Sequence, residues 1–175
     1  MPKDYKTKKL VFNSLLSSFS LLLAIMCHYF PMPFLDVTKL DLSDIPAFVS
    51  TLLFGAVDGA SILLVVSFIK SFFFSSTGIY GFIMRIVNVI AILLLGIKKL
   101  NTKKVSFYFI SAIFLPILVK IFLNYAFLTR IYLMPENVVK ATILSAILPF
   151  NLIKQVVNLV LSFIFAKKMS KYVEK

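Results

Sequence analysis

The chain has 175 residues, 60% of them hydrophobic, with 19 Phe and a mean hydropathy of +0.97; soluble domains are roughly 45–50% apolar. A soluble protein of this size has too much surface to hide so much hydrocarbon, so lipid must cover part of it, and the length fits one integral membrane domain over 1–175. A lone Cys27 excludes an internal disulfide framework and a multi-thiolate metal site, and one His28 with seven acids argues against a metal or acid–base active site.

The net charge of +12 is not spread as a nucleic-acid surface. The lysines gather in three segments: Lys3, Lys6, Lys8 and Lys9; Lys98, Lys99, Lys103 and Lys104; Lys167, Lys168, Lys171 and Lys175. Each segment flanks an apolar run, as cytoplasmic ends do under the positive-inside rule.

Six membrane segments are predicted, giving an all-α six-helix bundle. The first covers 10–29. Its basic start resembles a signal peptide, but the apolar run of about 20 residues is too long for an h-region and no small-residue cleavage site follows. Pro31 and Pro33 end it. A loop carrying Asp36, Lys39, Asp41 and Asp44 leads to the second segment, 45–57, which opens on Ile45-Pro46, where the missing N–H of proline costs little. Phe54-Gly55-Ala56-Val57-Asp58-Gly59 reads as a short turn, the third segment as 60–74, and Ser75-Ser76-Thr77-Gly78 as the next turn. The fourth, fifth and sixth segments are expected at 79–97, 105–128 and 143–166. With an inside N-terminus, six spans bring all three lysine clusters and both termini to the cytoplasmic side. The second and third segments are short for a hydrocarbon core of ~30 Å, which needs around 20 residues.

Lys70, Arg85, Lys120 and Lys154 fall inside the apolar segments. A mid-bilayer charge costs about 2.5–3.5 kcal/mol on insertion scales, so such residues face a protein interior, a watery cavity, or an interface reached by snorkelling. Their polar neighbours recur at helical spacing. Asn151, Lys154, Gln155 and Asn158 form one stripe on the sixth segment, Lys120 and Asn124 a pair on the fifth, and Arg85 and Asn88 a pair on the fourth. Interhelical hydrogen bonding would account for single amides, but less well for three cations with almost no buried acids to pair with them. At 1.5 Å per residue, Arg85 and Asn151 lie roughly 10 Å and Lys154 roughly 15 Å below the outer boundary. That layout suits a pocket open to the outside for a polar or anionic small molecule, with Tyr80, Phe82, Tyr125 and Phe150 near enough to stack on a ring.

On the first helix Ser14, Ser17, Ser18 and Ser20 make a small-residue face, suited to close approach by another helix or to packing within the bundle. The sequence contains no phosphate-binding G-x-x-x-x-G-K-[ST] loop and no repeated half of the kind many secondary transporters carry. Two classes remain, a substrate-binding subunit powered by partners and a small passive channel. Polar groups confined to one leaflet favour the former.

The stretches Pro31-Met32-Pro33-Phe34-Leu35, Leu40-Asp41-Leu42-Ser43-Asp44-Ile45-Pro46-Ala47 and Leu53-Phe54-Gly55, with Leu123-Asn124-Tyr125 and Leu148-Pro149-Phe150-Asn151-Leu152-Ile153-Lys154, resemble the S components of energy-coupling factor (ECF) vitamin importers. The likeness is greatest to the riboflavin-specific type and spans essentially the whole chain. It implies a multi-pass subunit of the bacterial cell membrane, without enzymatic activity or a cofactor of its own, that captures a vitamin outside. Its implied partners are a transmembrane coupling (T) protein and two cytoplasmic ATPases, which alone bind ATP.

The resemblance also implies roles. Ser14, Ser17 and Ser18 would pack on the coupling protein. The loop at about 31–44, with Phe34, Lys39, Leu40 and Asp41, would cover the pocket. Asn124, Asn151 and Lys154 would contact the vitamin; the cations and amides inside the apolar segments add Arg85, Asn88, Lys70 and Lys120 as further candidates. Two departures stand out: Lys70-Ser71 where riboflavin-type members tend to have Lys-Asn, and Arg85 where an Asn is common. A buried guanidinium favours an anionic or strongly hydrogen-bonding ligand, which leaves pantothenate, pyridoxine or hydroxymethylpyrimidine open beside riboflavin.

Overall fold

The computed structural model of the chain describes residues 3–29, 41–74, 78–96 and 105–173, and every regular element among them is helical. In order these are α1 (Lys3–Tyr29), α2 (Ile45–Phe54), α3 (Ala56–Ile69), α4 (Gly78–Ile86), α5 (Asn88–Gly96), α6 (Val105–Arg130), α7 (Glu136–Thr142) and α8 (Leu148–Val173). π-helical turns at Lys70–Phe74 and Ile143–Ile147 extend α3 and join α7 to α8, while α4 and α5 are two halves of one run broken at Val87. Five of the resulting runs are long and apolar enough to cross a membrane: Lys6–Tyr29, Ala56–Phe74, Gly78–Gly96, Phe107–Arg130 and Glu136–Tyr172. The chain is thus a multi-pass membrane protein. Its outer surface carries large apolar side chains such as Leu10, Phe73, Phe107 and Phe122, each roughly two-thirds or more exposed to what must be lipid.

Helix α2 is the exception in length and the centre in packing. Ten residues reach only about 15 Å, yet Ile45 through Thr51 are buried without a break. A helix that is apolar all round belongs in an interior, and α2 packs against α1, α3, α5 and α8 at once. Its Phe48 joins Leu63 and Val66 of α3, Ile92 of α5 and Leu159 of α8 in one core.

The expected turn over 54–59 contracts to a single residue. Gly55 adopts φ 114°, a conformation that disfavours side chains, and α3 begins directly at Ala56. Asp58 therefore lies in the first turn of α3, where a negative charge suits the positive helix end. There it pairs with Lys9 at 2.7 Å and accepts a hydrogen bond from Asn13, tying α1 to α3. The second predicted segment, 45–57, accordingly ends at Phe54, and the third opens earlier than 60. The first and last helices outrun the predicted 10–29 and 143–166 because Lys-rich ends, though not apolar, are good helix formers. Of the expected cover, Phe34, Lys39 and Leu40 lie outside the described residues, as does the middle lysine cluster.

The fold back from α2 to α3 is close. A Cβ on Gly59 would overlap Thr51 Oγ1 and lie 2.6 Å from the Ala47 carbonyl oxygen. Gly59→Ala is expected to lose about 1–3 kcal/mol by overpacking, seen as a lower unfolding temperature in detergent. Val57→Ala, at an exposed position, should change it little. Equal stability of the two variants would show that α2 and α3 do not pack this tightly.

Candidate functional site

The site is organised by the four residues, Asp41 to Asp44, that precede α2. Asp41 Oδ1 accepts the Ser43 N–H at 3.1 Å and the Ser43 hydroxyl at 2.6 Å, the local turn that Asp favours when its side chain bonds two residues on. The Ser43 carbonyl accepts the hydroxyl of Ser20 from α1. Asp44 stands at the N-cap of α2, but its carboxylate makes no capping bond. It is turned instead toward α4 and α5. Both aspartates are buried, Asp44 completely.

Arg85, at the last turn of α4, is 8% exposed and meets both. Its Nη1 donates to Asp41 Oδ2 and its Nη2 to Asp44 Oδ1, each at 2.6 Å, while Nη2 also donates to Ser43 Oγ at 3.0 Å and Nε to Ser67 Oγ of α3 at 3.1 Å. A planar guanidinium can serve two carboxylates this way; an ammonium cannot. Asp41 Oδ2 receives two further cations, Lys70 Nζ at 2.5 Å and Lys154 Nζ at 3.7 Å. Burial by itself raises the Asp41 carboxyl, but Arg85, Lys154 and Lys70 outweigh it and hold the group well below the usual carboxylate range.

The network continues inward. Asn88 donates to Asp44 Oδ2 at 2.9 Å and accepts from Lys120 Nζ of α6 at 2.7 Å. One turn on, Asn124 donates to the Lys120 carbonyl at 2.7 Å and accepts the Tyr80 hydroxyl. Lys70 opens a π-helical turn, and the break at Val87 falls between Arg85 and Asn88. Helical irregularities of this kind often mark functional positions.

Lys70, Arg85, Asn88, Lys120, Asn124, Lys154 and Asp41 are thus brought into one connected cluster. The α8 stripe divides. Lys154 faces the cluster, whereas Gln155 donates to the Ala112 carbonyl of α6 at 3.2 Å and Asn158 to the carbonyl of Asp41 before α2 at 3.1 Å, both as fasteners of α8 to its neighbours. Asn151 is half-buried, with its amide on the Ile147 carbonyl of its own run. Of the aromatics, Phe82 packs on Phe68 and Phe72, and Tyr80 sets its ring edge-on to Phe127. On α1, Ser14 and Ser18 are exposed and Ser17 half-buried, each hydroxyl bonded to a carbonyl one turn back. Ser20 alone of that face is buried.

The expectation that the intramembrane cations have few acids to pair with is overturned. Asp41 and Asp44 are those acids, and they escape a reading of the spans because they lie before α2 and not within a helix. Asp44, Ser43 and Ser67 are the residues that sequence reasoning missed. The signal for the first two is present in Asp41-Leu42-Ser43-Asp44-Ile45-Pro46: two acids directly before an uninterrupted apolar helix.

Comparison with known proteins gives a consistent picture. The family model described as ECF transporter, substrate-specific component, matches residues 8–166. The chain is 32% identical to the riboflavin transporter FmnP of Bacillus subtilis (strain 168), covering 93% of this chain and 92% of that protein. It is 28% identical to the riboflavin transporter RibU of Staphylococcus aureus (strain TCH60), covering 97% and 94%. Among solved structures, one described under "Structure and mechanism of the S component of a bacterial ECF transporter" superposes with a TM-score of 0.74 at 26% identity, covering 97% of this chain and 99% of that one.

Removing Arg85 leaves two buried carboxylates short of their shared cation. Arg85→Met is expected to destabilise the fold by about 3–5 kcal/mol, measured by thermal unfolding in detergent. Arg85→Lys should recover only part of the loss, since three donors on one nitrogen cannot reproduce the four hydrogen bonds of the guanidinium. Full recovery by Lys would mean that the bifurcated geometry is not what matters.

Proposed function

The chain belongs to the family of ECF transporter substrate-specific components, and from that premise we propose that it binds riboflavin outside the cell and delivers it for uptake. It is a transport component and not an enzyme. Likeness over nearly the whole length to two proteins named as riboflavin transporters is the observation that carries the choice of vitamin. The acceptor-rich isoalloxazine and ribityl groups of riboflavin also suit a cluster rich in N–H donors. On this reading the protein sits in a bacterial cell membrane with six spans, the five long runs and the short α2, and with both termini on the cytoplasmic side where the lysines gather. A transmembrane coupling protein and two ATPases supply the energy, and ATP binds only to the latter. Ser14 and Ser18, exposed on α1, together with Ser17, form the face that meets the coupling protein.

Within the site, Asn124, Asn151 and Lys154 are the ligand contacts. Arg85 and Asn88 bind the two buried aspartates directly, so they hold the cluster in shape behind those contacts, with Lys70 and Lys120 completing its positive side.

Protein purified from cells grown in rich medium is expected to carry a yellow chromophore with flavin absorbance. A colourless preparation that also fails to bind added riboflavin would remove the vitamin assignment while leaving the family intact. Lys154→Met should weaken riboflavin binding by about tenfold or more, the scale of one charge-assisted hydrogen bond, at an unchanged unfolding temperature. Unaltered affinity would reduce the α8 stripe to helix packing.

A further inference from the structure

The charge balance of the cluster is uneven. Four basic side chains, Lys70, Arg85, Lys120 and Lys154, stand around two carboxylates, and one oxygen of Asp41 takes three of the four. Asp44 is enclosed by Arg85 and Asn88 and is completely buried. Asp41 instead sits where Lys70, from α3, and Lys154, from α8, converge, and each of these keeps some side-chain exposure, 16% and 15%. A ligand approaching Lys154 therefore meets a cation whose field Asp41 partly cancels. In a bundle interior a unit charge acts over several ångströms with little screening.

We propose that Asp41 is the specificity-determining residue for ligand charge: its carboxylate on Lys70, Arg85 and Lys154 sets how strongly the site discriminates an uncharged flavin from its phosphate ester. This rests on the reading of the cluster as the flavin site. Asp41 need not touch the ligand to act. At an effective dielectric near 20, losing one negative charge within about 8–10 Å of a ligand phosphate favours that phosphate by about tenfold or more. An uncharged ligand gains nothing comparable. Lys70, the nearest partner of Asp41, acts on the same balance with the opposite sign.

The test is the ratio of two dissociation constants, for riboflavin and for riboflavin 5′-phosphate, measured by quenching of flavin fluorescence on purified protein in detergent. Asp41→Asn is expected to move the ratio by about tenfold or more toward the phosphate ester, Lys70→Gln to move it toward riboflavin, and the double variant, which restores the net charge, to return it close to the unsubstituted protein. Asp58→Asn removes a carboxylate held by Lys9 at a separate place and should leave the ratio alone. A ratio unmoved in folded Asp41→Asn, or moved the same way by Asp41→Asn and Lys70→Gln, overturns the proposal. Should Asp41→Asn not fold by itself, the double variant is compared with Lys70→Gln, and equal ratios in the two overturn the proposal. If the unsubstituted protein binds neither flavin, the riboflavin reading falls and this inference with it; if it binds riboflavin and only the ratio is indifferent, this inference falls by itself.

Discussion

Everything in this bundle hangs on one guanidinium shared between two aspartates. Arg85 would be costly in the membrane alone, and so would Asp41 and Asp44. Together they satisfy one another, and Ser43 and Ser67 take the remaining geometry. The arrangement also fixes helices to one another. Arg85 belongs to α4, Ser67 to α3, the aspartates to the lead-in of α2, and the next contacts out reach Lys120 of α6 and Lys154 of α8. A buried ion pair is weak evidence for net stability, because desolvation opposes it. Its value here is positional: it holds side chains from several helices around the same two carboxylates.

The short helix α2 is what makes this possible. A helix of full membrane length would carry its first residues to the interface, where Asp41 and Asp44 would be hydrated and their partners left behind. With only ten residues and a fully buried start, α2 keeps its leading end inside the bundle. Gly55 then turns the chain in a single residue, and Gly59 lets α3 lie directly on α2. Asp44 completes the effect by giving up the ordinary capping bond of its position and directing its carboxylate to Arg85 and Asn88.

Much of this was legible beforehand, and the limits have physical causes. Apolar length announced the five long runs, and helical spacing grouped Lys154 with Asn151 and Lys120 with Asn124. Periodicity says nothing, however, about side chains on an irregular stretch, so the pairing of Asp41 and Asp44 with Arg85 could not be seen from spacing. The same blindness made Arg85 look like an unpaired cation awaiting a ligand. Boundaries failed where composition and conformation part company: lysine-rich ends stay helical after hydropathy has faded, and Asp58 sits within a helix although its neighbours Gly55 and Gly59 suggest a turn. The α8 stripe read as uniform, yet Gln155 and Asn158 spend their amides on neighbouring backbone.

The fasteners on α8 carry a consequence for how the protein is made. Asn158 bonds the carbonyl of Asp41 and Ser162 that of Ile45, each across 117 positions of sequence. A ribosome delivers α2 and its two aspartates long before either partner exists. Until α8 has entered the membrane, the short helix and its lead-in have neither the donors of Asn158 and Ser162 nor the cation of Lys154. The interior around α2 therefore closes only when α8 arrives, and a chain stalled before that point would hold its central helix without the environment that justifies it.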